Sequence, residues 1–530
     1  MSKPTAHSRE TWRHADAYNG VVILSATRRS RLIAAALRLM PIIAALCALL
    51  AGGMVMLSTA PGHTSDVWAH TYRISGILNG DVIARPVSSR SELHPMVHGN
   101  VGGAVDRSWL DYSIREYDHH DPAVAWPDTI TRSDARTVDL PYNNTAVYTP
   151  AAYLPQLAGF AAGRALGLPA AVTYRLAQTL MLAVYALMTG LAVAALPRWR
   201  IPATLLLTAV TAASNSAFAI SADSLTQCTV TLFAAMLLRI ATRPVRLRFV
   251  AGLGGLAMLL ACCKFIYAPL ILLLPLVVWM QSRMTLPRSS DDAGEPVQAR
   301  EPTQSWEPTP ALESAHSQGP VQQPASGLVA TPEYHRILQL RRRRRRLAAL
   351  AAVGTVAPLT LLAVWMRLND WYTTMPVNVT YAHMTARKHA LLTDPGLGIR
   401  VIGYVARAIV TARANLGRAS DSQLIGMCLI VFAASLIMLA LATATRAITG
   451  RIAVFWWASF AAAAATIAAM YLALWLQYTP DWMDVADGMQ HRYLYPLTLM
   501  TLLGALDAIA ASARRITRLP GAQRDDANMA

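Results

Sequence analysis

The 530-residue chain is 54% hydrophobic and only 15% charged, with a mean hydropathy of +0.34. Soluble domains run at about 45–50% apolar and about 25% charged, so an ordinary cytosolic enzyme, a disordered tail protein and a secreted disulfide scaffold are all excluded. The formal net charge of +17 would suggest nucleic acid in a soluble protein. In so apolar a chain, basic loops on the cytoplasmic side of a membrane give the same excess, and no nucleic-acid partner is expected.

Taken in chain order, apolar runs near the roughly 20 residues a spanning helix needs lie at 39–58, 172–196, 202–220, 224–241, 347–366, 424–445, 452–476 and 493–513. The stretch 249–281 is long enough for two short spans divided near Lys264. The pattern predicts an all-α integral membrane protein of about ten transmembrane helices. No clean small-residue cleavage site follows the first run, so the N-terminus does not read as a cleavable signal peptide. Cys47, Cys228, Cys262, Cys263 and Cys428 all lie inside apolar runs and read as small buried hydrophobes, none with zinc spacing.

Arginine sets the orientation. Arg28, Arg29 and Arg31 precede the first run, Arg198 and Arg200 follow the second, and Arg243, Arg246 and Arg248 follow the fourth. Arg341 to Arg346 close a polar loop, and Arg446, Arg451, Arg514 and Arg515 complete the set. The positive-inside rule places these segments and both termini in the cytoplasm. The arginine run reads as an anchor touching anionic lipid. The chain then divides into a cytoplasmic segment 1–37, a membrane half 38–281, a disordered basic cytoplasmic loop 282–346, a second membrane half 347–513 and a cytoplasmic tail 514–530. The amphipathic stretches 150–167 and 398–414 are expected to be interfacial helices, because counting either as a span would turn the arginines outward.

The large loop 59–171 falls on the extracytoplasmic side and is long enough to be functional or a small domain. His119 and His120 beside Asp118 and Asp121 suit a metal less well than a solvated loop. Asn143-Asn144-Thr145 matches a glycosylation sequon. The stretch Asn144-Thr145-Ala146-Val147-Tyr148-Thr149-Pro150, continuing to Tyr153 and Pro155, reads first as an interfacial turn, able also to line a groove.

Ionisable residues at the ends of membrane spans are costly, and function is the default expectation for them. Asp66 and His70 follow the first span, Ser221 and Asp223 occupy the turn before 224–241, Lys264 and Tyr267 divide 249–281, and His491, Arg492 and Tyr493 open the last span. Each has a plainer reading: a solvated loop aspartate, a surface histidine, an N-cap for Asp223, snorkelling for Lys264 and Arg492. Their coincidence on one face argues for a site. Lys264 and Arg492 together suit a lipid phosphate, and a neighbouring carboxylate suits a proton acceptor. That pairing describes a transferase with a lipid-phosphate donor.

The ordered set Asp66-x-x-x-His70, Tyr148-x-Pro150-x-x-Tyr153-x-Pro155, Ser221-x-Asp223-Ser224, Lys264-x-x-Tyr267 and Gln490-His491-Arg492-Tyr493-x-x-Pro496 resembles the bacterial DUF2142 membrane proteins, which in turn resemble the GT-C class of membrane glycosyltransferases. The resemblance covers roughly residues 40–510 apart from the 282–346 insert. His491 stands where the family pattern has glycine, and Val67 where an acidic residue often follows the first aspartate. The resemblance implies transfer of a sugar from a polyprenyl-phosphate donor to a cell-envelope glycan or lipid acceptor, with inversion, outside the bacterial cytoplasmic membrane. Asp66 would be the base, and Lys264 and Arg492 the donor-phosphate ligands. His70, Tyr148, Tyr153, Ser221, Asp223, Tyr267 and Tyr493 would bind substrate. No cofactor is required, though some members of the class use a divalent metal. The rival readings are a transporter or flippase of a polyprenyl-linked glycan, which needs the same phosphate clamp, and a non-catalytic envelope scaffold.

Overall fold

The computed structural model describes residues 35–87, 100–118, 136–284, 332–370 and 379–517. Among these, eight helices are long and apolar enough to cross a membrane. They are α1 (Ala35–Ser58), α5 (Ala170–Ala195), α7 (Ala222–Thr242), α9 (Phe265–Ser282), α10 (Pro332–Leu368), α13 (Ala419–Ala444), α14 (Gly450–Gln477) and α15 (His491–Ile516). Two shorter apolar helices, α6 (Arg200–Ala212) and α8 (Leu247–Cys263), lie among them. At 1.5 Å per residue they span about 20 and 26 Å, short of the roughly 30 Å hydrocarbon layer. The protein is an all-α membrane protein, and the expected ten spans are reached only by counting these two.

The α6 shortfall has a local cause. The apolar run continues toward residue 220, but Ser214-Asn215-Ser216 offers side-chain alternatives to the helical ladder. Ser214 Oγ donates to the Val210 carbonyl at 3.0 Å, and a 3-10 turn, Asn215–Ala217, replaces the helix. α9 is broken for a different reason. Pro275 has no N–H for the Ile271 carbonyl, and the chain forms a 3-10 turn at Phe265–Tyr267, one turn at Ala268–Ile271 and a helix from Leu273.

α7 is the hub. Of its apolar window 89% is buried, against 17% for α13 and 28% for α1. The outward side chains of the peripheral helices, such as Leu46, Leu50, Met54 and Leu57 on α1 and Met427, Ile430, Val431 and Ile437 on α13, are exposed at helical spacing. Such stripes are intolerable in water and ordinary against lipid. Between helices small residues permit close approach: a Cβ on Gly190 of α5 would lie 2.9 Å from the Pro41 carbonyl of α1.

The large loop is a small folded cap. It contains α2 (Val67–Leu78), α3 (Arg107–Asp118), α4 (Leu154–Ala165) and an antiparallel sheet in the order β1 (Arg85–Pro86), β2 (Val101–Asp106), β3 (Thr137–Pro141). Gly102 lies opposite Pro141, and a Cβ there would sit 1.8 Å from the Leu140 carbonyl, so no other residue fits. Arg73 of α2 is wholly buried and donates to the carbonyls of Asp81 (2.8 Å), Val82 (2.6 Å) and Tyr148 (3.1 Å), pinning the cap together. α4 covers most of the expected interfacial stretch 150–167, but buries Gln156, Gly159, Phe160 and Gly163. The other such stretch forms α12 (Pro395–Val410), which follows α11 (Tyr381–Thr393).

The segment 1–34, the linker 285–331, the tail 518–530 and the His119-His120-Asp121 cluster lie outside the described residues. The arginine run does not belong to a disordered loop: α10 begins at Pro332 and carries Arg341 to Arg346 in helix. Proline at a first helical position and arginine within it both favour that.

The two ends of the helical bundle differ in content. At one end Arg200 donates to the carbonyls of Leu37 and Ala194, Arg239 to that of Ala195 and Arg343 to that of Met284. Arg198, Trp199 and Trp456 converge there on the buried carboxylate of Asp507. At the other end sit Asp66, Asp223, Lys264 and Arg492, beneath the cap.

Candidate functional site

The site begins with a turn. Asp66 is the residue before α2, in the left-handed conformation at φ 60°, ψ 13°, and its side chain makes no capping hydrogen bond. Freed from that role, its carboxylate accepts from the Asn144 amide at 3.0 Å and from the Arg492 guanidinium at 2.7 Å. Arg492 comes from the 3-10 turn that opens α15, and it also donates to the Ser65 carbonyl at 3.3 Å. Its Nε lies 3.1 Å from Asp223, in the first turn of α7, and Asp223 pairs in turn with Lys264. Lys264 sits in the break between α8 and α9, its ammonium 4.1 Å from the centre of the Tyr493 ring and 5.8 Å from that of Tyr148. Four helix ends thus join in one chain of alternating charge, Asp66–Arg492–Asp223–Lys264.

Asp223 is not the N-cap of α7. Ser221 fills that role, accepting from the Asp223 amide at 3.1 Å, which leaves the Asp223 carboxylate for the cations. His70 is not a surface residue either, being only 3% exposed. Its Nδ1 lies 2.7 Å from the Tyr153 hydroxyl, its Nε2 lies 3.2 Å from Ser221 Oγ, and its ring stacks on Tyr148. Tyr148 and Tyr153 are therefore parts of the site rather than an interfacial belt. Thr149 donates to the Cys262 carbonyl and Trp365 to that of Val147, fixing their segment between α8 and α10. Tyr267 is buried and donates to the Tyr493 carbonyl at 2.8 Å. All ten residues singled out in the sequence meet here. Asp66, Asp223, Lys264, Arg492, Tyr148 and Tyr493 border open space, while Tyr153 supports from behind.

Three cavities converge on the charges. The first, about 200 Å³, is polar and is bordered by Asp66, His70, Asn144, Tyr148, Asp223, Gln490, Arg492 and Tyr493. An apolar groove of about 110 Å³ shares Tyr148, Leu474, Gln477 and Tyr493 with it and runs past Lys264 along Phe265, Ile266 and Met470, between α9 and α14. The third, about 170 Å³, shares Asp223, Gln490 and Arg492 with the first and continues to Arg418, Asp421 and His491.

The electrostatics follow from these pairings. Desolvation works to raise the Asp66 carboxyl, but the charge of Arg492 and the hydrogen bond from it outweigh that, and the group stays below the ordinary carboxylate range. Burial lowers His70 to about 4 against the pull of Asp66 and Asp223, so its imidazole is neutral at physiological pH. Burial likewise pushes the Tyr148 phenol up to about 12.

Among the described residues no group of three or more His, Cys, Asp or Glu side chains is arranged to hold a metal ion. Asp66 and Asp223 turn to Arg492 and Lys264 instead. The sequon is ruled out as a glycan acceptor in the folded chain: Asn143 is fully buried and its Oδ1 accepts from the Val101 amide. His491 needs no glycine backbone, since the positive φ nearby belongs to Gly488. Its ring meets Asp421 at 2.6 Å.

Sequence reasoning passed over Asp421, Arg418 and Arg73. Of these only Arg73 carried a signal, an arginine one turn after His70 among Trp68, Tyr72 and Ile74.

Residues 49–501 match the model of one protein family, described as a predicted membrane protein (DUF2142). No curated protein and no solved structure matches the chain.

Proposed function

The chain belongs to the DUF2142 family of predicted membrane proteins, and from its site we propose that it is a membrane glycosyltransferase using a polyprenyl-phosphate sugar donor on the extracytoplasmic face of a bacterial cytoplasmic membrane. The observation that carries this reading is an apolar groove lined by Lys264 that meets, at Tyr148 and Tyr493, a polar cavity lined by Arg492. A polyprenyl chain suits the groove, its phosphate suits the two cations, and the attached sugar suits the polar cavity. An ammonium carries three donors and a guanidinium five, so the pairs with Asp223 and Asp66 leave donors on both for phosphate oxygens.

In the proposed reaction an acceptor hydroxyl attacks the anomeric carbon opposite the phosphate. The new C–O bond forms as the C–O bond to the lipid phosphate breaks, with inversion. The bonding pair leaves with the phosphate, whose charge Lys264 and Arg492 stabilise. The hydroxyl proton passes to Asp66. His70, neutral and held by Tyr153 and Ser221, keeps the floor of the cavity rigid, and Tyr148 and Tyr493 present ring faces beside Lys264.

The test uses purified protein in detergent with a panel of polyprenyl-phosphate sugars and a cell-envelope extract, and follows release of free polyprenyl phosphate. Wild type is expected to release it. Asp66→Asn should be slower by about a hundredfold or more, the usual worth of a general base, while still binding donor. Lys264→Ala should lose donor binding. An Asp66→Asn protein at full rate sinks the base assignment. Tight, Lys264-dependent donor binding with no release from any donor replaces the transferase with a flippase.

A further inference from the structure

The third cavity lies across the Asp223–Arg492 contact from Asp66. Ala219 is the one apolar residue in its wall among those described, and Ser65, Ser214, Asn215, Ser216 and Gln490 supply small donors and acceptors. Asp421, in the first turn of α13, and His491 face each other at 2.6 Å and are both largely sheltered, at 17% and 25% side-chain exposure. Arg418, the residue before α13, borders the same space, and no carboxylate pairs with it among the described residues. The two cavities share Asp223, Gln490 and Arg492, so ligands in both would touch at Arg492.

Such a wall discriminates. It offers a lipid chain nothing, in contrast to the groove beside Lys264. Asp223 and Asp421 place two carboxylates in it, which disfavours an anion. Planar groups with fixed donors and acceptors, guanidinium, carboxylate, imidazole and amide, suit a ligand dense in hydroxyls. We propose that this cavity is a second substrate site that takes a neutral glycan end, gripped by the Asp421–His491 pair and Arg418. As the acceptor site of the transfer, this rests on the function proposed above; as a sugar-binding site it is measurable without it.

The experiment uses the full chain in detergent micelles with four free disaccharides, maltose, mannobiose, chitobiose and galactobiose, followed by saturation-transfer NMR. Long-chain polyprenyl phosphate binding is measured in parallel. Wild type is expected to bind at least one disaccharide. Arg418→Ala and Asp421→Ala should each weaken that binding at least tenfold and change polyprenyl phosphate binding less than twofold. Arg418 is exposed, so its variant reports even where Asp421→Ala fails to fold. The proposal falls if wild type binds none of the four, or if Arg418→Ala binds sugar as well as wild type does. Sugar binding that depends on Arg418, in a protein that binds no polyprenyl phosphate, keeps this site and removes the donor reading.

Discussion

The two ends of the bundle spend the same residue types differently. At the arginine end, guanidinium groups cap backbone carbonyls of α1 and α5, and the buried carboxylate of Asp507 is satisfied by Arg198 and two indole N–H groups. At the site end, two cations and two carboxylates pair with one another beside open cavities, and little of their bonding closes a helix. Charge that satisfies backbone is anchorage; charge that lines open space is costly unless a ligand uses it. The lesson is that the count of charges says little, and the partners say what each is for.

Four outcomes test that contrast. The largest is expected from Lys264→Ala or Arg492→Ala. Each leaves the buried Asp223 with one cation where it had two, a loss of about 1–3 kcal/mol, and polyprenyl phosphate affinity should fall at least a hundredfold by equilibrium binding in micelles. Retained affinity would make the site end as structural as the other.

Next comes acidification. With His70 lowered from 6.5 to about 4, the unfolded chain binds a proton between those values and the folded chain does not. Stability therefore falls as pH drops from about 6.5 to 4 and is flat in this respect above. The loss from this group is about 3 kcal/mol, at roughly 1.4 kcal/mol per unit. A His70→Gln protein should show a correspondingly shallower fall in melting temperature over that range; an unchanged slope would remove His70 as the cause.

Arg198→Ala tests the arginine end. Trp199 and Trp456 still serve Asp507, so a cost of about 1–3 kcal/mol is expected in thermal unfolding, with polyprenyl phosphate binding per folded molecule unchanged. A binding defect of tenfold would show the ends to be coupled. The smallest effect belongs to Tyr148→Phe, which keeps the ring 5.8 Å from the Lys264 ammonium. Phosphate affinity should change less than twofold in the same binding assay, and a larger drop would give the hydroxyl a direct contact.

Much of this was legible in the chain itself, for identifiable reasons. Asp223, Lys264 and Arg492 stand out because a charge beside an apolar run is expensive, and expense marks position. The multi-pass, all-α class follows from run length. The sheet was not legible, because β2 is short and Gly-rich and its partners lie some 15 and 35 residues away in sequence. The helical start of α10 was hidden because polarity in Arg341 to Arg346 looks like loop, although arginine propagates helix well. Asp421 was missed because it sits in polar surroundings, and nothing local reveals that His491 lies across from it.

Asp66 sits at φ 60°, a region that glycine, asparagine and aspartate enter readily and other side chains resist by roughly 1–2 kcal/mol. The genetic code puts both alternatives to aspartate one base away: asparagine through the first codon position and glycine through the second. Random single-base drift at this codon thus samples its two backbone-tolerant replacements directly, one that keeps the side chain's outline without its charge and one that removes the side chain altogether. In a mutational library, recovery of folded but inactive chains should therefore concentrate on these two codons, while alanine, valine and glutamate, also one base away, carry the added burden of a strained turn.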